Sequence, residues 1–470
     1  MDAAEFLDRA VARRLSLARL PFCVPTSGIR AIDARIDDVR TSFRRWRVFL
    51  VCLVACVAAS RAIDARAQTP ASCTAPGKNL YVRDRMTDIY FWYREIPSLD
   101  PVSFDSPEAY LDAIRFRPID NTYSYITDRA TNSAFFSDSQ FIGLGLSTSI
   151  AGGEMRVLQV FPDSPAEEAG LARGDFIVEI NGRGVPDLIA TGAIDGAFGA
   201  SDVGVQVSIA FRHPAGSRIT ADVTKRLVTI PTVSMTRVYD VAGRKIGYVF
   251  FRNFVQPSVA ALDTAFNELR DAGVSELVLD LRYNGGGLIN VAQHLASLIG
   301  GVRTEGQPLA EYFHNDKNAF RNQTIRFQSK PNALRLDRLI VIATRASASA
   351  SELIINALRP FIPVLIVGDR TYGKPVGQYQ FEFCDKVLAP VSFSLRNSKG
   401  EGDFFDGFAA DCAAADDIGH PLGDMQEASL REALTLIHTG SCSAPTTLAT
   451  RSQIGSARRA SGWQSVVNAF

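Results

Sequence analysis

The stretch from Thr344 to Gln378, TRASASASELIINALRPFIPVLIVGDRTYGKPVGQ, with the β-branched run Leu339 to Ala343 ahead of it, constrains this fold more than any other. Its order is strand, turn of small residues, helix from Ser351 to about Leu358, strand from Val364 to Val367, then a lysine between Gly373 and Pro375. Parallel strands joined by one helix are neighbours in a sheet, so the serine turn and the lysine loop are expected to meet at one sheet end. A serine at the first turn of a helix lies beside unpaired N–H groups that stabilise an oxyanion. A lysine kept neutral by apolar surroundings can take the serine proton. The plainer reading is structural: Ser349-Ala350-Ser351-Glu352 fits a capping box, and Gly-Lys after a strand is ordinary turn chemistry.

SASASE and TYGKPVGQ resemble the carboxyl-terminal processing peptidases, Ser/Lys serine proteases of the S41 type. By that resemblance Ser349 aligns with the nucleophile, Lys374 with the general base and Gln378 with the residue that positions the lysine. Ser347 and Ser351 are decoys on either side. The implied fold class is α/β: a crotonase/Clp-protease-like catalytic domain with an inserted or preceding PDZ domain and an N-terminal helical segment.

From Val241 the pattern alternates. GYVFFRNF (247–254) reads as a strand, Val259, Leu262, Phe266 and Leu269 form a helical stripe, and ELVLDLR (276–282) reads as a buried strand. Tyr283-Asn284-Gly285-Gly286-Gly287-Leu288 then places three glycines at a strand-to-helix junction. The resemblance makes this the oxyanion segment, with Gly287 and Ala350 supplying N–H donors. A phosphate loop is the rival, but the run lacks a Gly-Lys-Ser ending. Of the five histidines, none sits in a triad motif and no G-x-S-x-G elbow occurs, though His294 follows Gly287 closely enough to approach the site. Asp416, Asp417 and His420 have ligand-like spacing but read as a helix-start cap with surface charges.

Upstream, FIGLGLSTS (141–149) and SPAEEAGLARGDFIVEINGRGV (164–185) together resemble a PDZ domain. Gly143, Leu144, Gly145 and Leu146 match the loop whose N–H groups receive a peptide C-terminal carboxylate, beside which the peptide adds as a strand. A β-rich spacer that binds nothing is the alternative. Aromatic and apolar residues at helical spacing between 77 and 130, including Tyr81, Met86, Tyr90 and Trp92, read as two or three packed helices.

Arg44, Arg45 and Arg47 precede VFLVCLVACVAA, a run too short to span a bilayer and suited to a secretory signal. Ala65-Arg66-Ala67 resembles a cleavage site, and Leu53-Val54-Ala55-Cys56 a lipobox that would anchor the chain through a lipid on Cys56. Of seven cysteines, removal of this segment leaves Cys73, Cys384, Cys412 and Cys442, an even number suited to an oxidising compartment. Cys384 with Cys412 and Cys73 with Cys442 is the expected pairing among three connectivities.

The expected boundaries are 1–67 for the extension and signal, with its core at 44–67, and 68–137 for the helical region. PDZ at 138–232, peptidase at 233–442 and a flexible tail at 443–470 complete the division. Fifty basic residues balance fifty acidic ones and no basic stripe occurs, which argues against a nucleic-acid partner. No C-x-x-C occurs, and no metal or cofactor is expected. The implied function is an extracytoplasmic endopeptidase of the bacterial periplasm, acting on protein or peptide substrates with accessible C-termini. A peptide-binding scaffold or a ligand-binding protein on the same fold are the rivals, and the sequence leaves the oligomeric state open.

Overall fold

The computed structural model describes residues 69–443. The signal core 44–67, the lipobox at Cys56 and the tail beyond residue 443 lie outside the described residues.

The central sheet has six strands in the order Val233–Val241, Arg244–Phe251, Glu276–Asp280, Leu339–Ala343, Val364–Gly368 and Cys412–Ala413. The first pair is an antiparallel hairpin and every later pairing is parallel. Alternate side chains of each strand serve opposite faces. Val249, Phe251, Leu277, Leu279, Leu339 and Val341 join one core with the helices Ser258–Asp271, Ile289–Gly300 and Ala350–Leu358. Tyr248, Phe250, Val278, Ile340 and Ile342 join another against the helix Ala428–Thr439. Covering both faces explains why these strands are apolar without alternation.

A four-stranded antiparallel sheet, Thr324–Arg326, Pro308–His314, Val391–Arg396 and Val376–Gln378, carries the segment after Lys374 on its edge. The N-terminal helices Ala75–Ile89 and Pro107–Ile114 pack in one apolar cluster with Val376, Phe383 and Leu388. Their chain continues as Tyr125–Asp128, which pairs with Lys386–Ala389. The N-terminal region and the region from 233 onward therefore share a sheet, and the PDZ-type domain is inserted between them. Its sheet runs Leu146–Ala151, Glu154–Val160, Phe176–Ile180, Gln206–Arg212, Arg218–Thr224, and Gln140–Gly143 pairs with Arg226–Thr229 where the chain enters and leaves.

The four cysteines form two disulfides, but not in the expected pairing: Cys73 joins Cys384 and Cys412 joins Cys442. Cys384 sits on the turn between Phe381–Phe383 and Lys386–Ala389, against the N-terminal helices. Cys412 lies on the sheet edge in the core that the helix Ala428–Thr439 covers, and Cys442 follows that helix. Sheet order, which separates 384 from 412, decided the pairing over distance along the chain. Glu432 lies beside the Cys412 and Cys442 sulfurs, and the disulfide takes both sulfurs out of metal chemistry. No helix among the described residues is long and apolar enough to cross a membrane.

Candidate active site

The strand Leu339–Ala343 ends at a turn held by hydroxyls. Thr344 Oγ1 donates to the Arg282 carbonyl, Ser347 Oγ to the Leu281 carbonyl at 2.7 Å and Ser351 Oγ to the Asn284 carbonyl at 2.8 Å. Ser347 and Ser351 are fully buried and tie the turn to the neighbouring strand end. Ser349 differs: it lines a cavity of about 310 Å³ and adopts φ 55°, ψ −112°, a backbone conformation rare for a residue with a side chain. That turn puts its side chain at the mouth of the helix Ala350–Leu358.

The same cavity is lined by Gly285, Gly286, Gly287, Ala350, Lys374 and Gln378. The glycine run requires glycine. A Cβ on Gly287, at φ 139°, would lie 2.1 Å from the Phe254 carbonyl oxygen, and one on Gly286 would lie 2.8 Å from Ala348 O, Ala350 N and Ser349 Cβ. Gly286 N–H donates to Asn284 Oδ1 and Leu288 N–H to Phe254 O. Among the described residues, the Gly287 and Ala350 N–H groups have no acceptor, and both border the cavity beside Ser349.

Burial lowers the Lys374 ammonium from its ordinary value to about 8, with the Asp120 and Glu352 carboxylates pulling the other way. Pro375 and Val376 are buried beside it, whereas Tyr372 is 43% exposed. The enclosing ring is instead Tyr123, with its centroid 5.7 Å from Lys374 Nζ. Gln378 Nε2 donates to the Tyr123 carbonyl, and no hydrogen bond joins Gln378 to Lys374 among the described residues.

Glu352 carries a role its motif did not reveal. Its carboxylate accepts from Ser349 N–H at 2.9 Å, the backward arm of the capping box, and from Lys374 N–H at 2.8 Å. It also accepts from Gly373 N–H at 2.7 Å and Thr371 Oγ1 at 2.6 Å, so one buried side chain fastens the serine turn to the lysine loop. Burial pushes its pKa up against these four hydrogen bonds.

His294 turns away from the cavity to Asp263 on the helix Ser258–Asp271, 3.0 Å away. Asp416 is not a helix-start cap: the helix Ala428–Thr439 is capped by Glu427, and Asp416 is buried against Arg282, Arg173 and the Tyr283 hydroxyl. Arg282 also pairs with Asp280 and Glu427 at 2.8 and 2.9 Å, which anchors the strand end from which the glycine run leaves. In the PDZ-type domain, Leu144 and Leu146 are buried in its core, and Gly145, at φ 89°, passes so close to Ser164 that a Cβ would lie 2.1 Å away. The following strand, Leu146–Ala151, is the end strand of its sheet among the described residues.

Three family models match this chain: Peptidase family S41 over residues 245–411, the peptidase S41 N-terminal domain over 78–125 and a PDZ domain over 156–193. Residues 245–411 are thus similar to peptidase family S41, a family of serine proteases. The chain's curated relatives include carboxyl-terminal processing proteases. The chloroplastic C-terminal processing peptidase of Tetradesmus obliquus is 32% identical over 262 residues, 52% of this chain and 53% of its own. The carboxyl-terminal-processing protease of Picosynechococcus is 30% identical over 259 residues, 53% of this chain and 58% of its own. The chain spans about half the length of these curated relatives. A crystal structure assigned as an S41 protease from Bacteroides fragilis aligns with a TM-score of 0.62 and 26% identity over 76% of this chain and 97% of that one.

Proposed function

We propose that this chain is an extracytoplasmic endopeptidase of the C-terminal processing type, working through a Ser349/Lys374 dyad. The observation that carries the reading is the lysine held near 8 by burial in the same cavity as a serine and two uncommitted N–H donors. Ser349 Oγ attacks the scissile carbonyl while neutral Lys374 Nζ accepts its proton. The tetrahedral oxyanion receives the Gly287 and Ala350 N–H groups. Lys374 returns the proton to the departing amine, and then activates the water that releases the acyl group. Depressing the lysine to about 8 leaves a useful neutral fraction at physiological pH, which an exposed lysine lacks.

Substrate selection falls to the PDZ-type domain, at 138–232. A peptide C-terminus adds along the end strand Leu146–Ala151, its carboxylate at the Gly143–Leu146 turn. The two disulfides and the signal-like segment 44–67 support export to the bacterial periplasm, with Cys56 as an alternative lipid anchor. The test is cleavage of an unfolded protein by the purified chain and by Ser349→Ala. The reading expects proteolysis to vanish in the variant while C-terminal peptide binding survives. Persisting proteolysis sinks it, and parent protein that binds peptides without cutting them favours the scaffold.

A further inference from the structure

The lysine loop is held from outside the peptidase region. Tyr123 lies in the N-terminal segment, and three of its groups meet that loop. Its hydroxyl donates to the Gly373 carbonyl at 2.6 Å, its carbonyl accepts from Gln378 Nε2, and its ring stands 5.7 Å from Lys374 Nζ. The contacts bracket Lys374 from both sides in sequence. Gly373 itself cannot be replaced there, since a Cβ would lie 2.1 Å from the Phe405 carbonyl oxygen.

Tyr123 is itself firmly placed. Asp120, fully buried, accepts from Tyr90 Oη at 2.9 Å and from the Ser124 N–H and hydroxyl at 2.9 and 2.5 Å, which fixes the turn 120–124. Ser124 Oγ in turn accepts from Val391 N–H at 2.9 Å, and Arg115 donates to the Ser124 carbonyl. The strand that follows pairs with Lys386–Ala389, and Cys73–Cys384 bolts the hairpin beyond Gln378 to the same N-terminal segment. The lysine loop is thus clamped on its outer side by Tyr123 and on its inner side by Glu352.

We propose that Tyr123 is a positioning residue for the general base: its hydroxyl and carbonyl hold the loop that carries Lys374, and its ring shields one side of the lysine from water. The Tyr123 carbonyl also holds the Gln378 side chain. The N-terminal helical region thereby becomes part of the catalytic apparatus. This rests on the Ser349/Lys374 reading above. The charged and titratable groups around the ammonium are Asp120 and Tyr123 from the N-terminal segment, Glu352 from the helix after Ser349 and Tyr372 from the loop itself.

The experiment uses the full chain with its disulfides intact, as parent, Tyr123→Phe, Tyr123→Ala and Ser349→Ala. Two assays are run across pH: kcat and KM on labelled casein, and acetylation of Lys374 by acetic anhydride followed by peptide mass spectrometry. Tyr123→Phe loses one hydrogen bond and keeps the ring, so kcat falls about fivefold to tenfold with little change in KM or in the pH profile. Tyr123→Ala admits water to the ammonium, so the acid limb of kcat/KM and the acetylation midpoint both move to higher pH. An Ala variant that folds and leaves both midpoints at the parent values overturns the proposal, whatever happens to kcat. Should it fail to fold, an unchanged kcat in Tyr123→Phe overturns it and a lowered kcat at parental Tm supports it. Residual cleavage by Ser349→Ala condemns the dyad instead, while the acetylation profiles still report on Tyr123 and Lys374.

Discussion

On the proposed dyad, Lys374 sets activity against stability at a single residue. Its ammonium titrates at about 8 in the folded chain and at the ordinary 10.5 once unfolded. The unfolded chain therefore binds more protons between those values, and this group's contribution to stability rises as pH climbs from about 8 to 10.5. Below 8 the whole burial cost is present. A shift of this size corresponds to about 3 kcal/mol at most, and partial exposure of the side chain reduces it. Lys374→Met should abolish proteolysis and raise stability at pH 7 by about 1–2 kcal/mol, with the gain disappearing near pH 10.5. Urea unfolding at both pH values checks the sign; a destabilised variant at pH 7 would mean that the lysine is not held against its charge. The serine was harder to single out from sequence than the lysine. Three serines alternate with alanines, and only the carbonyls of Leu281 and Asn284 reveal that Ser347 and Ser351 are spent on holding the turn. Glu352 was legible as a cap because its partner Ser349 is near in sequence; its bond to Lys374 N–H crosses a helix and a strand and leaves no local pattern.

At the scale of the element, the strand–helix–strand run 339–368 was readable because β-branched strands and an apolar helix are both buried on every side. The glycine run was readable for a different reason, that three adjacent glycines are costly unless close backbone approach demands them. Gly287→Ala drives a Cβ into the Phe254 carbonyl oxygen, 2.1 Å away, at φ 139°. It is expected to cost about 3 kcal/mol of stability and at least about a hundredfold in kcat, since relieving the clash moves the N–H proposed to hold the oxyanion. Gly243→Ala is the control: its φ is 76° but nothing lies within 4 Å, so a loss of about 1 kcal/mol with full activity is expected. Equal effects from the two substitutions, measured by thermal melts and initial rates, would remove the special role of the run.

Across the whole molecule, the information missing from the sequence is which distant segments touch. The disulfide pairing depends on sheet order, and the grip of Tyr123 on the lysine loop joins residues that composition and periodicity treat separately. The same holds for the link from the inserted domain. Arg173 donates to the Tyr283 hydroxyl at 2.8 Å, beside buried Asp416, and Arg252 joins Gln159 to the Tyr283 carbonyl at the head of the glycine run. Arg173→Ala should lower kcat about tenfold while leaving C-terminal peptide affinity unchanged, because it loosens the Tyr283 end of the run without touching the edge Leu146–Ala151. Calorimetry with a C-terminal peptide and initial rates on the same preparation separate the two effects. A loss confined to peptide affinity would contradict the coupling.

Proton transfer from Ser349 to an uncharged Lys374 has its most direct test in the pH dependence of kcat/KM on an unfolded protein substrate. With a single essential base at about 8, the rate should climb about tenfold per pH unit below that value and level off above it. A profile already flat at pH 6 would contradict the mechanism, because at that pH this lysine is almost wholly charged and cannot accept a proton.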